Sequence, residues 1–119
     1  MSEDSKIVVT VLAYDITGIE GGTEYTMVFS PGVSTKIKGP FRMNIAGILG
    51  QILEEYGIQV LSIEQASEDG CFAMILIGDM GDNIVNLEHL RTILAERGKQ
   101  VGASIKIQKA DLFRYMHRI

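Results

Sequence analysis

The stretch Asn44-Ile-Ala-Gly-Ile-Leu-Gly-Gln-Ile-Leu-Glu-Glu-Tyr-Gly57 decides the fold, because its apolar residues repeat with a helical period. They form one stripe at i, i+3, i+4, i+7, i+8 and i+11, namely Ile45, Ile48, Leu49, Ile52, Leu53 and Tyr56. Such a stripe is typical of an amphipathic helix that packs on another layer. Asn44 is predicted to cap this helix at its start, and Gly57 is predicted to end it.

Two short apolar stretches flank this helix and have the composition of strands that are covered on both faces. Lys6–Tyr14 is β-branched and almost continuously apolar, and Cys71–Ile77 is apolar throughout. Both are short enough to be strands rather than helices. The sequence therefore predicts two central strands of one sheet.

Two further segments alternate between apolar and polar residues, as edge strands do. Ile58–Glu64 places Leu61 and Ile63 on one face, and Ser104–Lys109 places its two isoleucines on one face. We expect these segments to lie at the two edges of the same sheet. The first of them carries little charge to discourage pairing with another chain.

A second helical period and a short final helix complete the predicted elements. The period runs through Leu87, Leu90, Leu94 and Val101, and Asp111 is placed to cap a last helix, Leu112–Ile119. The order is therefore strand, helix, strand, strand, helix, strand. This order predicts an α+β fold, a ferredoxin-like βαββαβ sandwich with a four-stranded antiparallel sheet and two helices on one face.

Residues 16–41 interrupt this order between the first strand and the first helix. They contain both prolines and five of the 13 glycines, a composition typical of turns. Within them, Glu24–Ser30 has strand character, Ser30-Pro31-Gly32 predicts a turn, and Ser34–Lys38 is the candidate return strand. We predict one domain over residues 1–119, with a hairpin-like insertion at 16–41.

Composition excludes several classes of function. A net charge of −4 argues against nucleic-acid binding, which needs a basic face. No apolar run approaches the ~20 residues of a membrane span. The lone Cys71 allows no internal disulfide and no CxxC pair, and the amino terminus is polar and acidic, unlike a signal peptide. These features favour a cytoplasmic protein.

The sequence lacks the common catalytic and cofactor motifs, including G-x-S-x-G, the Walker A loop and G-x-G-x-x-G. His89 and His117 are far apart in sequence and have no neighbouring cysteine. Asp79 and Asp82 share a loop, but two carboxylates alone are weak support for a cation site. We therefore predict no catalytic residue, no metal site and no cofactor.

Charge is distributed unevenly along the chain. Residues 1–90 carry a net charge of −9, whereas residues 91–119 carry +5. A basic carboxy-terminal segment of this kind is either an interaction tail or a region whose field cancels that of the acidic part in the fold. Both interpretations are open from the sequence.

The region from Met43 to Gln65 resembles the ACT domain, in which a turn opens the first helix and a glycine leads from that helix into the second strand. Further features resemble the small stand-alone ACT proteins. They are Ser62-Ile63-Glu64-Gln65, Phe72-Ala73-Met74 and the terminal Met116-His117-Arg118-Ile119. The resemblance covers residues 6–15 and 42–119 and implies the same ferredoxin-like fold.

What the resemblance implies is a regulatory module that binds a small effector, often an amino acid, near the turn between the first strand and first helix. ACT domains pair side by side, so a homodimer or higher oligomer is expected, with the Ile58–Glu64 edge as the contact. The family turn reads close to Asp-Arg-Pro-Gly-Ile. The corresponding candidate ligand residues are Asp15, before the insertion, and Arg42, Met43, Asn44 and Ile45 after it; Asp15–Ile19 is a rival match.

Two functions follow as hypotheses. In the first, the protein binds a small polar metabolite without catalysis; Arg42 holds a carboxylate and the helix start supplies N–H groups. The alternative to this ligand-binding role is that Arg42 is only a surface charge and that Asn44 is only a helix cap. In the second, the protein is an interaction subunit that docks on a partner protein through the 16–41 insertion or the basic carboxy-terminal segment.

Overall fold

A computed structural model describes residues 5–14, 23–68, 70–82 and 85–110. The elements in chain order are β1 (Lys6–Tyr14), β2 (Glu24–Ser30), β3 (Val33–Lys38), α1 (Pro40–Glu55), β4 (Gln59–Glu68), β5 (Cys71–Asp79), α2 (Leu87–Gln100) and β6 (Ala103–Lys109). Apart from the β2–β3 pair, this is the predicted βαββαβ order, and the predicted fold class is confirmed. The predicted last helix, Leu112–Ile119, and the candidate ligand residue Asp15 lie outside the described residues.

Four strands form one antiparallel sheet in the order β4-β5-β1-β6. The two predicted central strands, β1 and β5, are therefore central, and the two predicted edge strands lie at the edges. One face of the sheet carries the core: Val9, Phe72 and Leu76 are completely buried, together with Leu49 of α1 and Leu94 of α2. Both helices thus cover the same face.

The opposite face of the sheet is only partly covered. Leu12 and Tyr14 of β1 are 47% and 66% exposed, and Ile75 of β5 is 45% exposed. The expectation that both central strands are buried on both faces is wrong for these residues. Apolar composition predicted burial, but the described residues place both helices on one side of the sheet.

The helix α1 begins four residues before the predicted cap. Its first residue is Pro40, which has a suitable fixed φ and no N–H to leave unpaired, and Gly39 precedes it with φ 83°. The prediction that Asn44 is the N-cap is therefore wrong, since this residue lies inside the helix. Gly57 does follow the helix, with φ 68°, and its N–H donates to the Glu54 carbonyl at 3.0 Å, as predicted.

The edge strand β4 contains an irregularity that the sequence pattern does not show. Its register with β5 shifts between Val60 and Ser62, so Leu61 is an extra residue. Leu61 is 39% exposed, whereas Val60 is buried. The prediction that Leu61 and Ile63 lie together on the apolar face of a half-buried strand is wrong for Leu61, because strict alternation assumes a strand without a bulge.

The insertion contains the predicted hairpin. β2 and β3 form a separate two-stranded antiparallel sheet, and Gly32 in their turn has φ 80°. Their register, the burial of Ile37 and packing against the core identify the inward-facing residues as Tyr25, Met27, Phe29, Val33, Thr35 and Ile37. The register shifts between Val28 and Ser30, so Phe29 has no paired residue and is placed inward by its packing. The hairpin packs on α1 and lies beside β4.

Polar contacts hold the hairpin beside the outer edge of β4. The Ser30 hydroxyl accepts a hydrogen bond from the Val60 N–H at 2.9 Å. The Gln65 side-chain amide donates to the Thr35 hydroxyl at 2.8 Å and to the Lys36 carbonyl. The outer edge of β4, which the sequence predicted as the contact for self-association, is thus in contact with the chain's own insertion.

Close packing of α2 on β6 depends on one glycine. A Cβ added at Gly98 would lie 2.8 Å from the Ala103 carbonyl oxygen and 3.0 Å from the Ile105 side chain.

Among the described residues, neither helix is long and apolar enough to cross a membrane.

Candidate functional site

A cleft of about 550 Å³ lies between the hairpin and the part of α1 from Pro40 to Gln51. Its described lining consists of Tyr25, Pro40, Met43, Asn44, Gly47, Ile48 and Gln51. All but Tyr25 belong to α1. The cleft therefore exists because the insertion docks against a helix of the ferredoxin-like body.

Helical geometry explains why these residues share one wall. Pro40, Asn44, Gly47 and Gln51 are spaced by four, three and four positions, which places them on one side of an α-helix. The residues that face the core lie on another side of α1. Tyr25, at the open end of β2, forms the opposite wall.

The lining combines hydrogen-bonding groups with apolar surface. Asn44 and Gln51 contribute carboxamides, each able to donate and accept, and Tyr25 contributes a phenol. Met43 and Ile48 contribute apolar surface. None of the seven described lining residues is charged, so this wall suits a polar molecule held by hydrogen bonds.

Gly47 leaves open space within this wall. A Cβ added there would meet no atom within 4 Å, in contrast to Gly50, where a Cβ would lie 2.5 Å from the Met27 methyl group. The first glycine therefore contributes to the cleft, and the second allows the hairpin to approach the helix.

The structure brings two of the five predicted ligand residues together. Met43 and Asn44 line the cleft, while Ile45 is completely buried in the core. Arg42 precedes Asn44 by two residues, which in a helix is a rotation of ~200°. Its side chain therefore leaves α1 on a different side, and Asp15 lies outside the described residues.

Arg42 is buried, with 8% of its surface exposed. Its guanidinium donates a hydrogen bond to the Ser67 hydroxyl at 2.9 Å and lies 5.3 Å from the centre of the Phe72 ring. Ser67 and Phe72 are paired neighbours in β4 and β5. The alternative interpretation of Arg42 as a surface charge is therefore wrong, since this cation ties α1 to the sheet.

Sequence reasoning missed five lining residues, namely Tyr25, Pro40, Gly47, Ile48 and Gln51. A signal for the four that belong to α1 was present, because proline is a favoured first residue of a helix and Pro40 therefore sets where the helix starts. No such signal exists for Tyr25. Its place depends on how the hairpin docks, which local sequence does not specify.

A second cleft, of about 500 Å³, lies between the tip of the hairpin and the end of α1. Its lining is Val28, Phe29, Ser30, Pro31, Glu54, Gly57, Ile58 and Gln59. The Ser30 hydroxyl is already bonded to Val60. Apart from Glu54 and Gln59, the rest of this lining is apolar.

Asp79, the last residue of β5, uses its carboxylate within the fold. Asp79 is buried, and its carboxylate accepts a hydrogen bond from the Gly81 N–H at 2.7 Å. That bond, followed by one with the Ser5 side chain, holds the pKa of Asp79 below its ordinary value. No group of three or more His, Cys, Asp or Glu residues that suits a metal ion occurs in the described part of the chain.

The sequence is similar to small proteins of archaea and bacteria. A UPF0237 protein of Methanocaldococcus jannaschii is 32% identical over 87 residues, which cover 73% of this chain and 97% of that protein. A UPF0237 protein of Clostridium acetobutylicum is 39% identical over 75 residues, or 63% of this chain and 83% of that protein. No protein-family model matches the chain.

Two solved structures share the fold. An ACT domain protein from Streptococcus pneumoniae superposes with a TM-score of 0.59 and 22% identity, covering 91% of this chain and 92% of that one. A formyltetrahydrofolate deformylase from Pseudomonas putida superposes with a TM-score of 0.55 and 12% identity, covering 87% of this chain and 28% of that one. The match to the archaeal relative extends over nearly all of that protein, so this chain belongs to the UPF0237 family, and its fold is that of a small ACT domain.

Proposed function

We propose that this protein is a non-catalytic regulatory protein that binds a small molecule in the cleft between α1 and the hairpin. The observation that carries the proposal is the convergence of Asn44, Gln51 and Tyr25 on one cleft. Concave sites with a few hydrogen-bonding groups among apolar ones are typical of small-molecule binding. The cleft also lies at the start of the first helix, where the ACT resemblance implies an effector.

An amino acid is the ligand class that we favour. The amino-terminal end of α1, at Pro40, contributes a partial positive charge that suits a carboxylate. The two carboxamides and the phenol suit the polar groups of such a ligand, and Met43 and Ile48 suit an apolar side chain. In this proposal Arg42 and Ile45 support the site from behind by fixing α1, and Met43 and Asn44 contact the ligand.

A second candidate function is docking of a partner protein through the insertion. It is supported by the apolar cleft at the tip of the hairpin and by Val28, which is 62% exposed there. Around it, the outward-facing residues of the hairpin are polar: Glu24, Thr26, Ser34, Lys36 and Lys38. The apolar area at the tip is small, so we place this function second.

We further propose that the protein forms a homodimer. Pairing through β4 would have to include the hairpin, because Ser30 and Thr35 already contact that edge. The test is light scattering at micromolar concentration, where a dimer has twice the 13.1 kDa mass of the chain. A particle with the mass of one chain at that concentration would contradict this part of the proposal.

The main experiment is a thermal-shift screen against the twenty amino acids and then a wider set of polar metabolites. A ligand at 100 times its Kd stabilises the folded state by ~2.7 kcal/mol, which raises the Tm by several degrees. The screen is repeated with Gly47→Leu, which fills open space in the cleft. Glu55→Leu is the matched control, since Glu55 is exposed on α1 and lines neither cleft.

The outcomes separate the alternatives. The proposal predicts a ligand that shifts the wild type and Glu55→Leu but not Gly47→Leu. The absence of any shift across the screen would contradict ligand binding. A shift that survives in Gly47→Leu would place the ligand elsewhere. Specific capture of one partner by the wild type, lost in Val28→Asp, would favour the docking function.

A further inference from the structure

We propose that the carboxy-terminal segment, residues 111–119, covers the face of the four-stranded sheet that α1 and α2 leave open. This segment lies outside the described residues. The strand registers define the central part of this open face as Val8, Thr10, Leu12 and Tyr14 of β1 and Cys71, Ala73, Ile75 and Ile77 of β5. The proposal concerns the chain's own segment and is independent of the ligand cleft.

The open face has the apolar character of a surface that requires a cover. Leu12, Tyr14 and Ile75 are all large and between 45% and 66% exposed, and they lie on adjacent strands. Large contiguous apolar patches are uncommon on the surface of monomeric proteins and indicate a contact surface. A purely solvated face would carry polar residues at these positions.

Burial changes along this face in a way that indicates the direction of the cover. Val8 shares the face with Leu12 but is only 5% exposed. Val8 pairs with Gln108 near the end of β6, and Ala110, just beyond that strand, is 9% exposed. The face is therefore covered at the end where the chain leaves β6 towards residue 111, and it is open at the other end.

The segment has the sequence that such a cover requires. Leu112, Tyr115, Met116 and Ile119 fall on one stripe of a helix. A helix of nine residues is ~13.5 Å long. Three strand spacings, from β6 to β4, amount to ~14 Å, so the segment has the length to cross the sheet.

Thiol labelling of the full chain tests the placement. Because Cys71 is the only cysteine, Cys71→Ser gives a background without thiols. Into it we introduce Ile75→Cys on the open face or, as control, Val28→Cys on the hairpin, a position that is 62% exposed. The proposal predicts that the thiol at position 75 reacts about tenfold more slowly than the one at position 28.

Substitutions in the segment complete the experiment. Leu112→Ser with Met116→Ser should bring the labelling rate at position 75 to within about twofold of the control. The rate at position 28 should not change, and thermal melts verify that each variant is folded. Equal rates before these substitutions would overturn the proposal. If the thiol at position 75 reacts slowly and the substitutions do not change its rate, the proposal is also overturned. In that case, faster labelling of the diluted protein would identify a second copy of the chain as the cover.

Discussion

The four-stranded sheet with α1 and α2, called the body here, and the β2–β3 hairpin are held by different kinds of contact. In the body, side chains such as Val9, Leu49 and Phe72 are completely buried. In the hairpin, Ile37 alone among the described residues is buried to that extent, and Met27 and Phe29 are only partly covered. The hairpin is held to the body largely by partly buried side chains and hydrogen bonds.

This difference shows that α1 has two roles. One side of the helix contributes Leu49 and its neighbours to the core, while another side meets the hairpin at Gly50 and forms the cleft at Gly47. The shape of the candidate site therefore depends on the region with fewer completely buried side chains. Changes to the body should alter global stability, whereas changes to the hairpin should alter the cleft first.

The largest expected effect is loss of a core side chain from the body. Leu49→Ala removes a completely buried residue and should lower the free energy of unfolding by about 2–5 kcal/mol. Met27→Ala, at the partly buried surface of the hairpin, should cost about half as much or less. Urea denaturation of both variants measures the difference. Equal losses would mean that the hairpin belongs to the core as fully as α1 does.

Two leucine substitutions in α1 should have opposite effects. Gly50→Leu places a side chain where Met27 and Phe29 pack, and should destabilise the protein by about 1–3 kcal/mol as the hairpin is displaced. Gly47→Leu enters open space, and the better helix propensity of leucine should stabilise α1 by ~0.8 kcal/mol. Thermal melts of the pair are the measurement. A destabilised Gly47→Leu variant would show that the cleft is not open in solution.

The body could be predicted from the sequence because local patterns report on it directly. The stripe from Ile45 to Tyr56 marks the core side of α1, and the apolar runs in β1 and β5 mark the centre of the sheet. Leu61 escaped prediction because one extra residue in β4 reverses the alternation. The exposure of the open sheet face was not predicted, because apolar composition indicates that residues tend to be buried but does not identify the element that buries them.

Of the seven described lining residues of the candidate site, only Met43 and Asn44 were predicted, for a related reason. The resemblance selected Arg42 to Ile45 as one group, but consecutive residues of a helix point in different directions. The start of α1 at Pro40 turns Asn44 towards the cleft and Arg42 towards Ser67. Tyr25 lines the cleft because the insertion packs against α1. The sequence predicted that the insertion forms a hairpin, but it did not predict the surface on which the hairpin docks.

Two polar contacts of β4 provide a finer comparison of body and hairpin. Ser67→Ala removes the bond to Arg42 within the body, and Gln65→Ala removes the bonds to Thr35 and Lys36 in the hairpin. Each should cost about 0.5–1.5 kcal/mol. Hydrogen exchange should distinguish them, because only Gln65→Ala should speed exchange of the β2 and β3 amides selectively. Selective acceleration in Ser67→Ala instead would mean that the buried arginine also holds the hairpin.

The smallest expected effect concerns a charged contact of the body and depends on pH. The Gly81 N–H and the Ser5 side chain hold the pKa of Asp79 below its ordinary value, so the folded state favours the ionised carboxylate. The resulting stabilisation is complete above the unfolded-state pKa of ~4 and is lost as the pH falls through the lower pKa of the folded state. Asp79→Asn should therefore lower the free energy of unfolding at pH 7, and its difference from the wild type should shrink below pH ~4.

Urea denaturation at several pH values measures this, with Asp82→Asn, at an exposed neighbouring position, as the control at neutral pH. A difference that stays constant down to low pH would show that Asp79 acts through the shape of its loop rather than through its charge.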